Sequence, residues 1–239
     1  MNKIALTRAL KWYCMLALFF VSALAAHSFV PCEIIDEGAH RTNAALASRI
    51  IENLIARCPS NEEKSLFLLS QITSIAKELL EKGFSPRAYN APISDTSVGY
   101  TSFVLWEGKD QNDPVNATFF VYCWPPLSPL EKQIVPMGTA IHSHTIPCAL
   151  AVLDGALIEE IFQPTSRSQH FATLIQRIKR SPLDANTDLT PPSLIHRIYN
   201  GQNQTLSLSL HAYGLPSADA IRSSFKNGVK QHTYYIKGE

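Results

Sequence analysis

The chain has 239 residues, 46% of them hydrophobic, and a formal net charge of +1, which suits one sizeable core with a helical extension better than two full domains. Basic and acidic residues are mixed along it, and the densest basic run, Arg177-Ile178-Lys179-Arg180, reads as the end of a short helix. The composition therefore points away from a nucleic-acid surface and toward small-molecule chemistry.

At the N-terminus, Lys3, Arg8 and Lys11 precede an apolar run from Trp12 to Ala26, and Ala23-Leu24-Ala25 has the small-x-small pattern of a signal-peptidase site. The run is short for a membrane span. Residues 1–26 are expected to be a cleaved export signal, making the protein periplasmic or secreted; an uncleaved membrane anchor and a buried helix of a cytoplasmic protein are the alternatives. Removing the segment takes away Cys14 and leaves Cys32, Cys58, Cys123 and Cys148. In an oxidising compartment Cys32 and Cys58 could pair, and free buried cysteines are the equal alternative.

Two helices are predicted within residues 27–85. From Asn43 to Arg57, Leu46, Ile50, Ile51, Leu54 and Ile55 recur at helical spacing. Ser60, with Glu63 three residues on, caps a second helix whose stripe of Leu66, Leu69, Ile72, Ala76, Leu79 and Leu80 runs up to Gly83. Beyond it, residues 86–239 break into short β-rich runs: Tyr100–Trp106, Ala117–Trp124, Cys148–Leu153, Ala156–Phe162, Leu194–Tyr199, Thr205–Tyr213 and Gln231–Lys237. The expected fold is mainly β, a sandwich or small barrel with an N-terminal helical cap.

The stretch Ala140–Gly155 holds two histidines one residue apart, His142 and His144, then Cys148 and Gly155. Read as a strand, it puts His142, His144 and Cys148 on one face if the extended conformation survives Pro147. Two neutral imidazoles on one face can hold one metal ion, although His-x-His alone is as easily a chance surface pair. Downstream, Pro191, Ser193, His196 and Asn200 form a second cluster, and Ser209-Leu210-His211-Ala212-Tyr213 a third, with alternate residues on one strand face. His170 and His232 fall outside these patterns and read as surface residues.

The first two clusters together resemble the paired motifs of the cupin superfamily. The first motif there runs His-x-His, a Glu, then a Gly; here Cys148 takes the Glu position. In the second, Ser193 takes the position of a Gly. With cysteine at the Glu position, the chain resembles cysteine dioxygenase of the animal type. The resemblance covers roughly Gly99 to Tyr213, including Cys123-Trp124 before the first motif.

The resemblance implies a cupin-type small β-barrel and a ferrous ion, Fe(2+), held by His142, His144 and His196. It implies oxidation of cysteine, or a close thiol analogue, by dioxygen to its sulfinic acid. It further implies that Tyr213, oriented by His211 and Ser209, hydrogen-bonds the substrate or oxygen, and that Cys148 becomes joined to Tyr213 by a thioether. The partners expected are a small thiol and dioxygen, with no nucleic acid, with a membrane only if the N-terminal segment is an anchor, and with a monomer as the simplest assembly.

Two features depart from that family. Where it carries an Arg for the substrate carboxylate in a Tyr-x-Arg stretch, this chain has Tyr100-Thr101-Ser102. Tyr100 is then expected in the substrate pocket, with Arg87 as replacement cation; Arg197, next to a ligand on one strand, should face away. The second departure is the export signal, since the relatives are typically cytosolic. Two other readings stay open: a different metal-dependent cupin enzyme, and a cupin barrel that binds a ligand without turnover.

Overall fold

The computed structural model describes residues 33–59, 63–90, 100–108, 115–126, 138–144, 146–164, 171–191, 194–202, 204–214 and 231–236. The expected export signal, Cys32, Ser60, His170 and Ser193 lie outside them. Among the described residues no helix is long and apolar enough to cross a membrane.

Helix α1 spans Glu37–Ile55. It begins six residues before the predicted start at Asn43 because Asp36 caps it, accepting from Ala39 N at 2.8 Å, and Glu37 stands in the first turn where negative charge is favoured. The second predicted helix is two: α2, Lys64–Ser70, and α3, Ile72–Glu81, parted at Gln71. Glu63 caps α2 through its own carboxylate, which accepts from Ser65 N and Leu66 N at 3.1 Å each. Asn43 ties α1 to the turn after α3, donating to Ser85 O and accepting from Ser85 N.

The strands are β1 (Glu33–Ile34), β2 (Tyr89–Asn90), β3 (Thr101–Glu107), β4 (Ala117–Trp124), β5 (Ile141–His144), β6 (Cys148–Asp154), β7 (Leu157–Pro164), β8 (Phe171–Arg180), β9 (Ala185–Asp188), β10 (Ile195–Asn200), β11 (Ser207–Gly214) and β12 (Gln231–Ile236). One five-stranded sheet has the order β3-β4-β11-β6-β9, and β10-β5-β12-β8-β7 close into a barrel. Pairing is antiparallel except for the short β12–β8 contact. This is the expected mainly β architecture, with the helices packed on one face of the first sheet.

Alternation along three strands of the first sheet sorts their apolar residues between two cores. Phe119, Val121 and Cys123 of β4, Ala149, Ala151 and Leu153 of β6, and Leu208, Leu210 and Ala212 of β11 pack against the helices. Their neighbours Phe120, Tyr122, Trp124, Cys148, Leu150, Val152 and Tyr213 turn the other way, into the barrel. Both faces are buried, so β4 and β6 read as nearly unbroken apolar runs, while β11 alternates, its Ser209 and His211 buried on the cavity side.

Two expectations are corrected. Arg177–Arg180 ends a ten-residue strand, not a helix. Its charges are cross-strand partners: Arg177 bonds Glu160 of β7, and Arg180 bonds Glu159. The segment from His142 to Cys148 is also not one strand. It breaks between His144 and Cys148, so β5 lies in the barrel ring and β6 in the other sheet.

Candidate metal centre

Three backbone devices set β5 beside β10. Gly138 lies so close to β10 that a Cβ would stand 2.0 Å from Ile198 O. Next to it, Thr139 N donates to Ile198 O at 2.9 Å, and Ile198 N donates to Thr139 Oγ1 at 3.0 Å. Pairing then places His196 directly opposite His142.

The imidazoles of His142, His144 and His196, all buried, converge. His142 Nε2 and His144 Nε2 are 3.2 Å apart, as are His144 Nε2 and His196 Nε2. His142 Nδ1 lies 2.8 Å from Ala140 O, and His196 Nδ1 lies 2.7 Å from Glu159 Oε1. A carbonyl and an ionised carboxylate only accept, so both Nδ1 atoms carry the proton and both Nε2 atoms present lone pairs. Around a bound ion all three Nε2 lone pairs would turn inward; without one, His144, whose Nδ1 has no hydrogen-bond partner among the described residues, can carry its proton on Nε2 and donate to a neighbouring ring. A divalent ion with metal–nitrogen bonds of about 2.0–2.1 Å holds neighbouring nitrogens roughly 3.0–3.4 Å apart, the spacing these rings have.

Protonation agrees with that reading. Burial, then the neighbouring His196, pushes His142 down to about 4, and burial with His142, His196 and His211 pushes His144 down to about 2. Both stay neutral, as ligands must. Behind His196, burial opposes the charge on Glu159, but hydrogen bonds from His196 and from Asn186 Nδ2 (2.7 Å), with Arg180, outweigh it and hold the carboxyl below its ordinary range. Such a carboxylate fixes the tautomer and orientation of a metal-bound imidazole.

Sequence reasoning misses Glu159. Its signal is the pair of carboxylates, Glu159-Glu160, inside the otherwise apolar run Ala156–Phe162. Both side chains are fully buried. Glu160 serves the outer side, taking Arg177, Arg197 and the Tyr199 hydroxyl. Arg197 therefore points away from the His196 face, as the alternation of β10 requires.

A partly open cavity lies beside the three histidines, and its wall includes Tyr100, Cys148, Asp188, His211 and Tyr213. Strand β6 brings the wall together: Cys148 is paired with Tyr213 of β11 on one side and with Asp188 of β9 on the other. Burial, then the carboxylates of Asp188 and Glu159, pushes the Cys148 thiol up. Burial, followed by Tyr122 and Cys148, raises the Tyr213 phenol well above its ordinary value, so both keep their protons.

Ser209, His211 and Tyr213 are all buried, alternate residues of β11. Trp124 Nε1 donates to Ser209 Oγ at 2.8 Å, and Ser209 Oγ lies 2.9 Å from His211 Nε2. The Tyr213 hydroxyl lies 3.3 Å from that of Tyr122. Burial holds His211 neutral, well below its ordinary value.

Tyr100 lies across Tyr122 and Trp124, with ring centroids 4.9 and 5.0 Å away, at the cavity's solvent side. Ser102 pairs with Tyr122 and is exposed. Arg87 is placed elsewhere. It is exposed on the turn before β2, whose Ala88 and Tyr89 belong to the helix-side core, and it is not in the cavity wall.

Two residues shared with the motifs are structural. A Cβ on Gly155, whose φ is +74°, would stand 2.4 Å from Ser207 Oγ and 3.0 Å from Ser207 Cα. Asn200 clamps the end of β10, donating to Trp124 O and Thr205 O and accepting from Gln202 N and Ser207 Oγ.

No protein-family model and no curated protein matches the chain. Solved structures with partial likeness include a cupin superfamily protein from Desulfitobacterium hafniense (13% identity, 48% of this chain and 77% of that one, TM-score 0.31). Others are a cupin-superfamily sugar phosphate isomerase from Silicibacter pomeroyi (12%, 41% and 50%, TM-score 0.30) and a structure of DMSP lyases (10%, 75% and 96%, TM-score 0.39). Likeness this low decides nothing about the site, whose reading rests on its geometry: three buried, convergent histidines able to hold a metal ion.

Proposed function

We propose that the protein is an iron-dependent thiol dioxygenase, converting a small thiol and dioxygen to the sulfinic acid. The observation that carries the proposal is the company the three histidines keep. A buried Cys148 stands in the cavity wall where many cupins have a ligand carboxylate, paired across strands with Tyr213. Three neutral imidazoles suit Fe, Zn, Cu or Ni, and ferrous iron is the choice the resemblance favours. When bound, iron supplies a coordination site that favours the thiolate form of the substrate and a redox partner for dioxygen.

The chain's own residues bind and orient. Glu159 fixes the His196 ring, and Ala140 O fixes that of His142. Tyr213, protonated and beside Tyr122, offers a hydroxyl to substrate sulfur or oxygen. The Ser209–His211 pair, anchored by Trp124, shapes the adjoining wall. The overall step balances as RSH + O2 giving RSO2H, with both oxygen atoms on sulfur and no external reductant. The Cys148–Tyr213 pairing also supports a thioether between them, the two hydrogens lost passing to dioxygen.

The experiment is oxygen uptake by anaerobically iron-loaded protein with a panel of thiols, with product identified by mass. One dioxygen consumed per thiol, and a product heavier by two oxygen atoms, supports the proposal. Uptake no greater than in the metal-free control, or disulfide as sole product, rejects it.

A further inference from the structure

Substrate choice can be read from the charge of the cavity wall. The described arginines around the site are engaged with carboxylates: Arg180 with Glu159, and Arg177 and Arg197 with Glu160. Arg87 lies on the helix side of the first sheet. Among the described residues, no lysine or arginine lines the cavity.

What lines it instead is Asp188, 2% exposed, at the end of β9. As the cross-strand partner of Cys148 it shares that residue's inward face. Its carboxylate also accepts from Leu194 N at 3.3 Å. Tyr100 and Tyr122 add aromatic surface to the same wall. A carboxylate and aromatic rings both attract a cation, whereas a substrate carboxylate entering here would meet Asp188 and, among the described residues, no guanidinium to pair it.

We propose that the cavity carries an ammonium subsite, with Asp188 as its anion and Tyr100 and Tyr122 as its aromatic wall, so that the substrate is a small aminothiol without a carboxylate. The chemistry rests on the thiol dioxygenase reading; the binding preference does not.

The test is calorimetry on full-length protein loaded with redox-inert zinc, titrated with cysteamine, cysteine and 3-mercaptopropionate. Asp188 attracts the ammonium of cysteamine through a charge-assisted hydrogen bond and repels the carboxylate of 3-mercaptopropionate. Cysteamine should therefore bind roughly tenfold or more tighter than 3-mercaptopropionate, with cysteine between. Asp188→Asn should bring cysteamine and 3-mercaptopropionate to within about twofold of each other. Equal or tighter binding of 3-mercaptopropionate by the wild type overturns the subsite whether or not the variant folds, as does an unchanged preference in a zinc-replete Asp188→Asn. Oxygen uptake on the same panel separates the two ideas. Amine preference without uptake removes the dioxygenase and keeps the subsite; uptake fastest with 3-mercaptopropionate does the reverse.

Discussion

Glu159 accepts a proton-bearing nitrogen from His196 while Arg180 and Asn186 hold it in place, so its removal acts on the metal through another residue. Glu159→Ala is expected to weaken metal affinity about 10–100-fold, and Glu159→Gln, which keeps an acceptor oxygen, by less. Titration with a competing chelator measures both. Gly155 is a different kind of residue: its φ of +74° and the 3.0 Å approach of Ser207 Cα leave no room for a side chain. Gly155→Ala should destabilise the fold by about 1–3 kcal/mol, read as a lower urea midpoint. Of these two, only Gly155 was legible in the sequence, because a motif spacing pointed to it. Glu159 was visible only as an acid in an apolar run, and its partner, His196, stands 37 residues away.

At the scale of elements, β4, β6 and β11 separate the helix-side core from the cavity residue by residue. Substitutions on the two faces should therefore have separable effects. Leu79 of α3 is fully buried on the helix side, and Leu79→Ala should cost about 2–5 kcal/mol while the folded protein keeps its metal. Unfolding with and without metal, together with metal content at low temperature, checks this; loss of metal from folded Leu79→Ala would show that the layers are coupled. Apolar runs and turn residues made most strands legible, since those signals are local. The β8 strand was not, because Arg177 and Arg180 are explained by carboxylates on β7, and a basic run looks the same at a helix end. The break between β5 and β6 was half legible: Pro147 signalled an interruption, but only pairing shows that the two pieces join different sheets.

For the whole molecule, the buried histidines tie stability to pH. His142 and His144 have folded values depressed to about 4 and about 2, below the ordinary 6.5 of an exposed histidine. Between these limits the unfolded chain binds more protons, so stability is complete above about pH 6.5 and is lost as pH falls, by up to about 1.4 kcal/mol per unit for each histidine. Urea unfolding of metal-free protein at about pH 7 and pH 5 should show that loss, and a flat profile would argue that these rings are not buried and neutral. The three convergent histidines and the cysteine–tyrosine pair were assembled in the sequence by motif order, whereas Asp188 and the engaged arginines emerged only from the folded chain. The central claim is that His142, His144 and His196 make one metal site. Its most direct measurement is metal content, by elemental analysis, of anaerobically iron-loaded wild type and of His142→Ala, His144→Ala and His196→Ala. One ion per wild-type chain, with substoichiometric iron in each folded variant, is the predicted result; iron retained equally by the wild type and all three variants would contradict it.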